Sequence, residues 1–164
     1  MNLILIGMPG CGKSTVGVVL AKALAMDFVD SDLVIQKEMG MKLSQLIDLH
    51  GDDGFRAIEN RINAELDVDS SVIATGGSVI YGEDAMRHLK EIGTVIYLKL
   101  SCDTIADRLG DLHARGVTIK PGWTLQDLYN ERVPLYEEWA DITVDCEHMM
   151  LREVVEYIRA RIEA

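Results

Sequence analysis

Gly7-Met-Pro-Gly-Cys-Gly-Lys-Ser14 decides the reading of this chain. The stretch matches G-x-x-x-x-G-K-[ST] without a gap, follows an apolar run over Asn2–Ile6 and opens an apolar helical pattern at Lys13. Strand, loop, helix is the context a phosphate-binding loop requires. Glycines let successive backbone N–H groups turn inward around phosphate oxygens, and the helix N-terminus adds positive potential. Gly7, Met8, Pro9, Gly10, Cys11, Gly12, Lys13, Ser14 and Thr15 are therefore predicted to hold a nucleoside triphosphate. Lys13 would reach the β and γ phosphates, and the Ser14 hydroxyl would ligate Mg2+. Cys11 sits where a thiol pKa can fall, but it reads better as a small spacer within the loop.

Outward from the loop, short β-rich runs alternate with longer helical patterns. Strands are predicted at Asn2–Ile6, Phe28–Val29, Ser71–Ala74, Thr94–Lys99 and Ile142–Val144. Helices are predicted near Lys13–Ala25, Asp32–Glu38, Leu43–Leu49, Gly54–Leu66, Glu83–Glu91, Asp103–Leu109, Leu125–Trp139 and Leu151–Ile162. Such alternation implies an α/β fold with three layers, a five-stranded parallel sheet between helices. Ligands in these folds bind at the carboxyl ends of the strands. Gly110–Trp123 has no apolar period and contains Gly116, Pro121 and Gly122, so a mobile lid is expected over residues 110–123. Thr124-Leu-Gln-Asp127 ends that loop as a helix N-cap with an acid in the first turn. With no repeat or linker visible, residues 1–164 read as one domain.

Composition narrows the partners. A net charge of -11 argues against a nucleic-acid surface, which needs basic patches, although a few arginines can still converge on a small anion. The apolar run breaks after Ile6 and lacks a basic leader, so no signal peptide is read. No run approaches the roughly twenty apolar residues of a membrane span. Three widely spaced cysteines suggest reduced thiols. A cytoplasmic monomer with no nucleic-acid or membrane partner is expected. The four histidines show no metal-ligand spacing; His113 stands out only for its place in the loop.

The next question is what receives the phosphate. A GTPase switch needs N-K-x-D, which is absent, and Asp48–Gly51 matches D-x-x-G at the end of a helical pattern rather than at a strand tip. The remaining motifs favour a small-molecule kinase. Val29-Asp30-Ser31-Asp32 leaves a strand tip with carboxylates at i and i+2. One can lie near Mg2+ through water and the other can bond an attacking hydroxyl; capping of the next helix by Asp30 or Ser31 is the plainer alternative. Arg56 and Glu59, at i and i+3 in Gly54-Phe-Arg-Ala-Ile-Glu59, share a helix face, where a solvated ion pair would account for them. Ala74-Thr-Gly-Gly-Ser78 follows an apolar strand and would let a ligand approach the backbone, or it is merely a turn.

Together with Arg132-Val-Pro-Leu-Tyr136, these motifs give a chain that resembles the shikimate kinase family of P-loop kinases from Gly7 to Asp145, in the family's order. The resemblance implies an ATP-dependent phosphotransferase acting on a hydroxyl of a small carboxylic acid, shikimate first. It implies catalytic roles for Lys13, Asp32 and Arg115, with Asp32 receiving or orienting the proton and Arg115 reaching the transferring phosphate from the lid. Asp30 would stand near the metal through water, and Arg108 would stack on adenine. Arg56 and Arg132 would grip the carboxylate, with Gly76, Gly77 and Ser78 against the substrate ring, in an acceptor region of about residues 31–62. Two arginines suit a carboxylate because a planar guanidinium offers two parallel hydrogen bonds.

Two positions depart from the family pattern. Ser78 stands where a third glycine is usual, and the lid reads Arg115-Gly-Val-Thr118 where Arg-Pro-Leu-Leu is usual. Both bear on which acid is enclosed. The alternatives are a homoserine- or gluconate-type acceptor, or a nucleotide-binding module without turnover.

Overall fold

A computed structural model of the chain describes residues 1–109 and 117–163. Its elements run β1 (Asn2–Ile6), α1 (Lys13–Leu24), β2 (Asp27–Asp30), α2 (Ser31–Met39), α3 (Leu43–Ala64), β3 (Ser71–Ala74), a 3-10 turn (Val79–Tyr81), α4 (Glu83–Ile92), β4 (Gly93–Lys99), α5 (Cys102–Arg108), α6 (Leu125–Trp139), β5 (Ile142–Asp145) and α7 (Leu151–Ile162). The strands form one parallel sheet in the order β2-β3-β1-β4-β5. All five residues of β1 are buried although alternate side chains point to opposite faces, so helices cover both sides of the sheet. The five expected strands are all present.

The helices follow local chemistry. Asp30 caps α2 by accepting the Asp32 amide at 3.0 Å. Thr124 and Asp127 form a capping box at the start of α6, as the sequence predicts. The two helices expected at Leu43–Leu49 and Gly54–Leu66 run together as α3, interrupted at Gly51, whose φ of 74° and ψ of 174° lie outside helical values. Beyond that break α3 packs against α4 and the 3-10 turn. The 3-10 turn was not expected, since three residues are too few to show a period.

The core has two parts. The larger lies on the sheet under α1, α4, α6 and α7. A smaller one, of Ile35, Leu43, Leu46, Phe55 and Ile62, joins α2 to the two halves of α3. Between them, at the carboxyl ends of β1, β2 and β3, a cleft of about 470 Å³ opens. The strand order reverses between β1 and its neighbours, which is where such sheets bind ligands. Residues 110–116 of the expected lid, with His113 and Arg115, lie outside the described residues; Val117 and Thr118 are buried, and Val117 lines the cleft.

Candidate active site

The loop after β1 forms one wall. Gly10 and Gly12 have φ of 81° and 98°, values that a side chain would strain, and this backbone wraps the N-terminus of α1. The Lys13 ammonium is buried and donates to the carbonyls of Gly7 at 2.6 Å and Met8 at 2.9 Å, so the lysine lies along its own loop. Pro9, Gly10, Gly12, Lys13, Ser14 and Thr15 line the cleft, whereas the Met8 and Cys11 side chains turn inward to the core. Arg108, at the end of α5, donates to Gly10 O at 3.3 Å. It also borders a second cavity of about 200 Å³, walled by Thr15, Leu100, Met149 and Leu151 and contiguous with the loop through Gly12.

Opposite the loop stand carboxylates. The Ser14 hydroxyl donates to Asp30 Oδ2 at 3.5 Å while Asp30 Oδ1 caps α2, so the metal-side and capping readings of Asp30 hold at once. Among the described residues, no group of three or more His, Cys, Asp or Glu side chains could hold a metal by itself. A hydroxyl and a carboxylate are nevertheless hard oxygen donors of the kind Mg2+ takes when phosphates and water supply the rest. Asp32 lies deeper. Burial, with the neighbouring Asp30 charge, pushes its carboxyl up to about 6 against the pull of Lys13, and its Oδ1 has no hydrogen-bond partner among the described residues.

Glu59 is the larger surprise. Its side chain is 2% exposed rather than solvated, and Ser78 donates its hydroxyl proton to Oε1 at 2.5 Å. Burial pushes this carboxyl up to about 7; the Ser78 hydrogen bond opposes that rise, the Asp32 charge adds to it, and Arg132 and Arg56 oppose it. Asp32 and Glu59 meet across Gly76, where a Cβ would come within 2.6 Å of Asp32 Oδ1 and 2.8 Å of Glu59 Oε2. Gly76, Gly77 and Glu59 line the cleft, and Ser78, behind that lining, donates to Glu59.

The two arginines converge. Arg132 is 1% exposed and donates through Nη2 to Thr118 O at 3.2 Å and Thr118 Oγ1 at 3.3 Å. Arg56 reaches the same Thr118 Oγ1 at 3.5 Å. Both guanidiniums lie over the ring of Tyr81, 4.0 Å and 5.4 Å from its centroid, and the Tyr81 hydroxyl donates to Glu131 at 2.6 Å. Each arginine keeps a buried Nε–H without a partner. Tyr136, one turn beyond Arg132, donates to Gly77 O at 2.6 Å and stacks on Tyr97 at 5.0 Å, fixing the glycine turn to the sheet. Sequence reasoning missed Tyr81, Tyr136 and Thr118. A tyrosine in Arg132-Val-Pro-Leu-Tyr136 was in view, but nothing local shows that its hydroxyl meets a carbonyl 59 residues away.

A phosphate-binding loop, a buried carboxylate beside it, and Arg132 in the same cleft with Arg56 converging on it at Thr118 define a P-loop phosphotransferase for small anionic acceptors. Comparison with known proteins narrows this. The family model described as shikimate kinase matches residues 9–163. The shikimate kinase of Haemophilus influenzae is 38% identical over 165 residues, covering 96% of this chain and 92% of that protein. That of Thermodesulfovibrio yellowstonii is 38% identical over 160 residues, with the same coverage. Among solved structures, shikimate kinase from Acinetobacter baumannii in complex with shikimate superposes with a TM-score of 0.85 at 29% identity, over 99% of this chain and 92% of that one. Shikimate kinase from Aquifex aeolicus gives 0.85 at 31% identity, over 99% and 96%. The chain belongs to the shikimate kinase family.

Proposed function

We propose that this protein transfers the γ-phosphoryl group of ATP to a hydroxyl of shikimate, giving shikimate 3-phosphate and ADP. The observation that carries the reading is a pair of guanidiniums, the buried Arg132 lining the cleft opposite the phosphate loop and the partly buried Arg56 beside it on Thr118, whose buried Nε–H groups lack partners among the described residues. A buried donor left unpaired is costly, and a carboxylate would satisfy both arginines through charge-assisted bonds. A neutral sugar would not.

In this reading the backbone of Gly7–Thr15 cradles the triphosphate, Lys13 leaves its loop carbonyls for the β and γ oxygens, and adenine enters the smaller cavity against Arg108. Ser14, and Asp30 through water, would hold Mg2+, which when bound neutralises phosphate charge. Arg56 and Arg132 orient the acid so that one ring hydroxyl meets Asp32 Oδ1. As the hydroxyl oxygen bonds to the γ phosphorus, the bond to the bridging oxygen of ADP breaks and the hydroxyl proton passes to Asp32. A carboxyl held near 6 is a sufficient base at neutral pH and releases the proton readily afterwards. On the family resemblance alone, Arg115 is assigned to the transferring phosphate.

We read residues 1–164 as one kinase domain, with residues 31–62 receiving the acid and residues 110–123 covering it. No helix among the described residues is long and apolar enough to cross a membrane. The chain is read as a cytoplasmic monomer with no nucleic-acid partner. The test is ADP release with shikimate, homoserine and gluconate as acceptors, with and without EDTA. Shikimate should stimulate release at least about a hundredfold over the others, and chelation should abolish it. Tight ATP binding with no acceptor stimulating release would overturn the kinase assignment.

A further inference from the structure

Ser78 carries a function that the phosphate chemistry leaves unused. Its side chain does not line the cleft; its hydroxyl donates to Oε1 of Glu59, which does, and both side chains are buried. The other oxygen of Glu59 stands across Gly76 from Asp32 Oδ1, the buried acceptor atom that has no partner. A neutral Glu59 would carry an O–H, and Asp32 Oδ1, which shares the space over Gly76 with Glu59 Oε2, is an unfilled acceptor on that side. The proton would then be shared between two carboxyls and the atom needed by the substrate would be occupied.

We infer that Ser78 is a positioning residue: by donating to Glu59 it holds that side chain as an ionised acceptor, and so leaves Asp32 Oδ1 open to the acceptor hydroxyl. The groups facing Glu59 are Asp32 from α2, Arg132 from α6, Arg56 on its own helix and Ser78 itself. Burial and Asp32 favour the neutral form, while the serine and the two arginines favour the charged one. With the carboxyl held near 7, removal of one donor changes its charge within the working pH range.

The inference rests on the proposed kinase activity for its kinetic consequence, but not for its direct test. In carboxyl-labelled protein, carbon NMR should show the Glu59 titration moving up by about one pH unit in Ser78→Ala and returning toward wild type in Ser78→Thr, a shift expected for one hydrogen bond to a charged group. An unmoved Glu59 titration overturns the inference whatever the substrate proves to be. In the kinetic arm, kcat/KM for shikimate in Ser78→Ala should fall about tenfold at pH 6 and less than twofold at pH 8.5, with the KM for ATP unchanged. Glu59→Gln, whose amide can donate to Asp32 Oδ1 at every pH, should lower kcat/KM at both pH values. A uniform loss in Ser78→Ala, accompanied by a lower melting temperature, would mark a packing role and refute it. Absence of any shikimate turnover in wild type would refute the proposed function while leaving the NMR result to decide this one.

Discussion

Replacing Glu59 with glutamine should stabilise the protein by an amount that grows as pH rises from about 4.5 to about 7 and is level above that. The side chain is fully enclosed, and its carboxyl is moved from 4.5 to about 7, chiefly by burial. A carboxyl raised in the fold adds stability below its unfolded value and loses that contribution as pH rises through the folded one. At about 1.4 kcal/mol per unit, the ionised side chain costs about 3 kcal/mol at pH 8 and almost nothing near pH 4.5. Glutamine has nearly the same shape, accepts the Ser78 hydroxyl through its carbonyl and carries no charge to desolvate. For a chain of this size the difference corresponds to a rise in Tm of roughly 6 to 12 °C at pH 8. Thermal unfolding followed by circular dichroism at pH 8 and pH 4.5 measures it directly. A gain of the same size at both pH values, or a loss at pH 8, would show that Glu59 is not a buried charge held at a cost. Stability gained together with activity lost would mark it as a side chain kept for function.

Arg132→Lys keeps the charge but loses the planar fork, so the KM for shikimate should rise roughly 10- to 100-fold while that for ATP changes less than twofold. Steady-state kinetics with each substrate varied will show it, and an equal rise in both constants would remove the carboxylate grip from α6. Gly76→Ala places a methyl against the Asp32 and Glu59 oxygens, so kcat/KM should fall on the order of a hundredfold while the circular dichroism spectrum is retained. Near-normal turnover in that variant would mean the two carboxylates do not flank the reacting centre.

The strands, the phosphate loop and the cap of α6 could be read in the sequence because each is set by residues close together in the chain. The break at Gly51 was visible as a gap between two helical patterns, although not as a bend within one element. Glu59 was not legible. Its i, i+3 spacing to Arg56 suggested a surface pair, and only the meeting of α3 with the turn after β3 brings Ser78 and Asp32 against it. Arg132 and Tyr136 share the same limitation: their burial depends on where α6 crosses the sheet, information held by no local pattern. Ser78 was expected against the substrate ring, because its sequence position gives no direction for its side chain; the structure turns its hydroxyl toward Glu59.

The small hydrophobic nucleus joining Ile35, Leu43, Leu46, Phe55 and Ile62 is separate from the main one beneath the sheet. In the proposed reading α2 and α3 receive the acid, and they have their own packing nucleus, with α3 joined to the rest of the molecule chiefly along α4. Substitutions there can reshape acceptor choice without disturbing the triphosphate cradle, so a scaffold divided in this way can acquire a new substrate while its donor chemistry stays fixed.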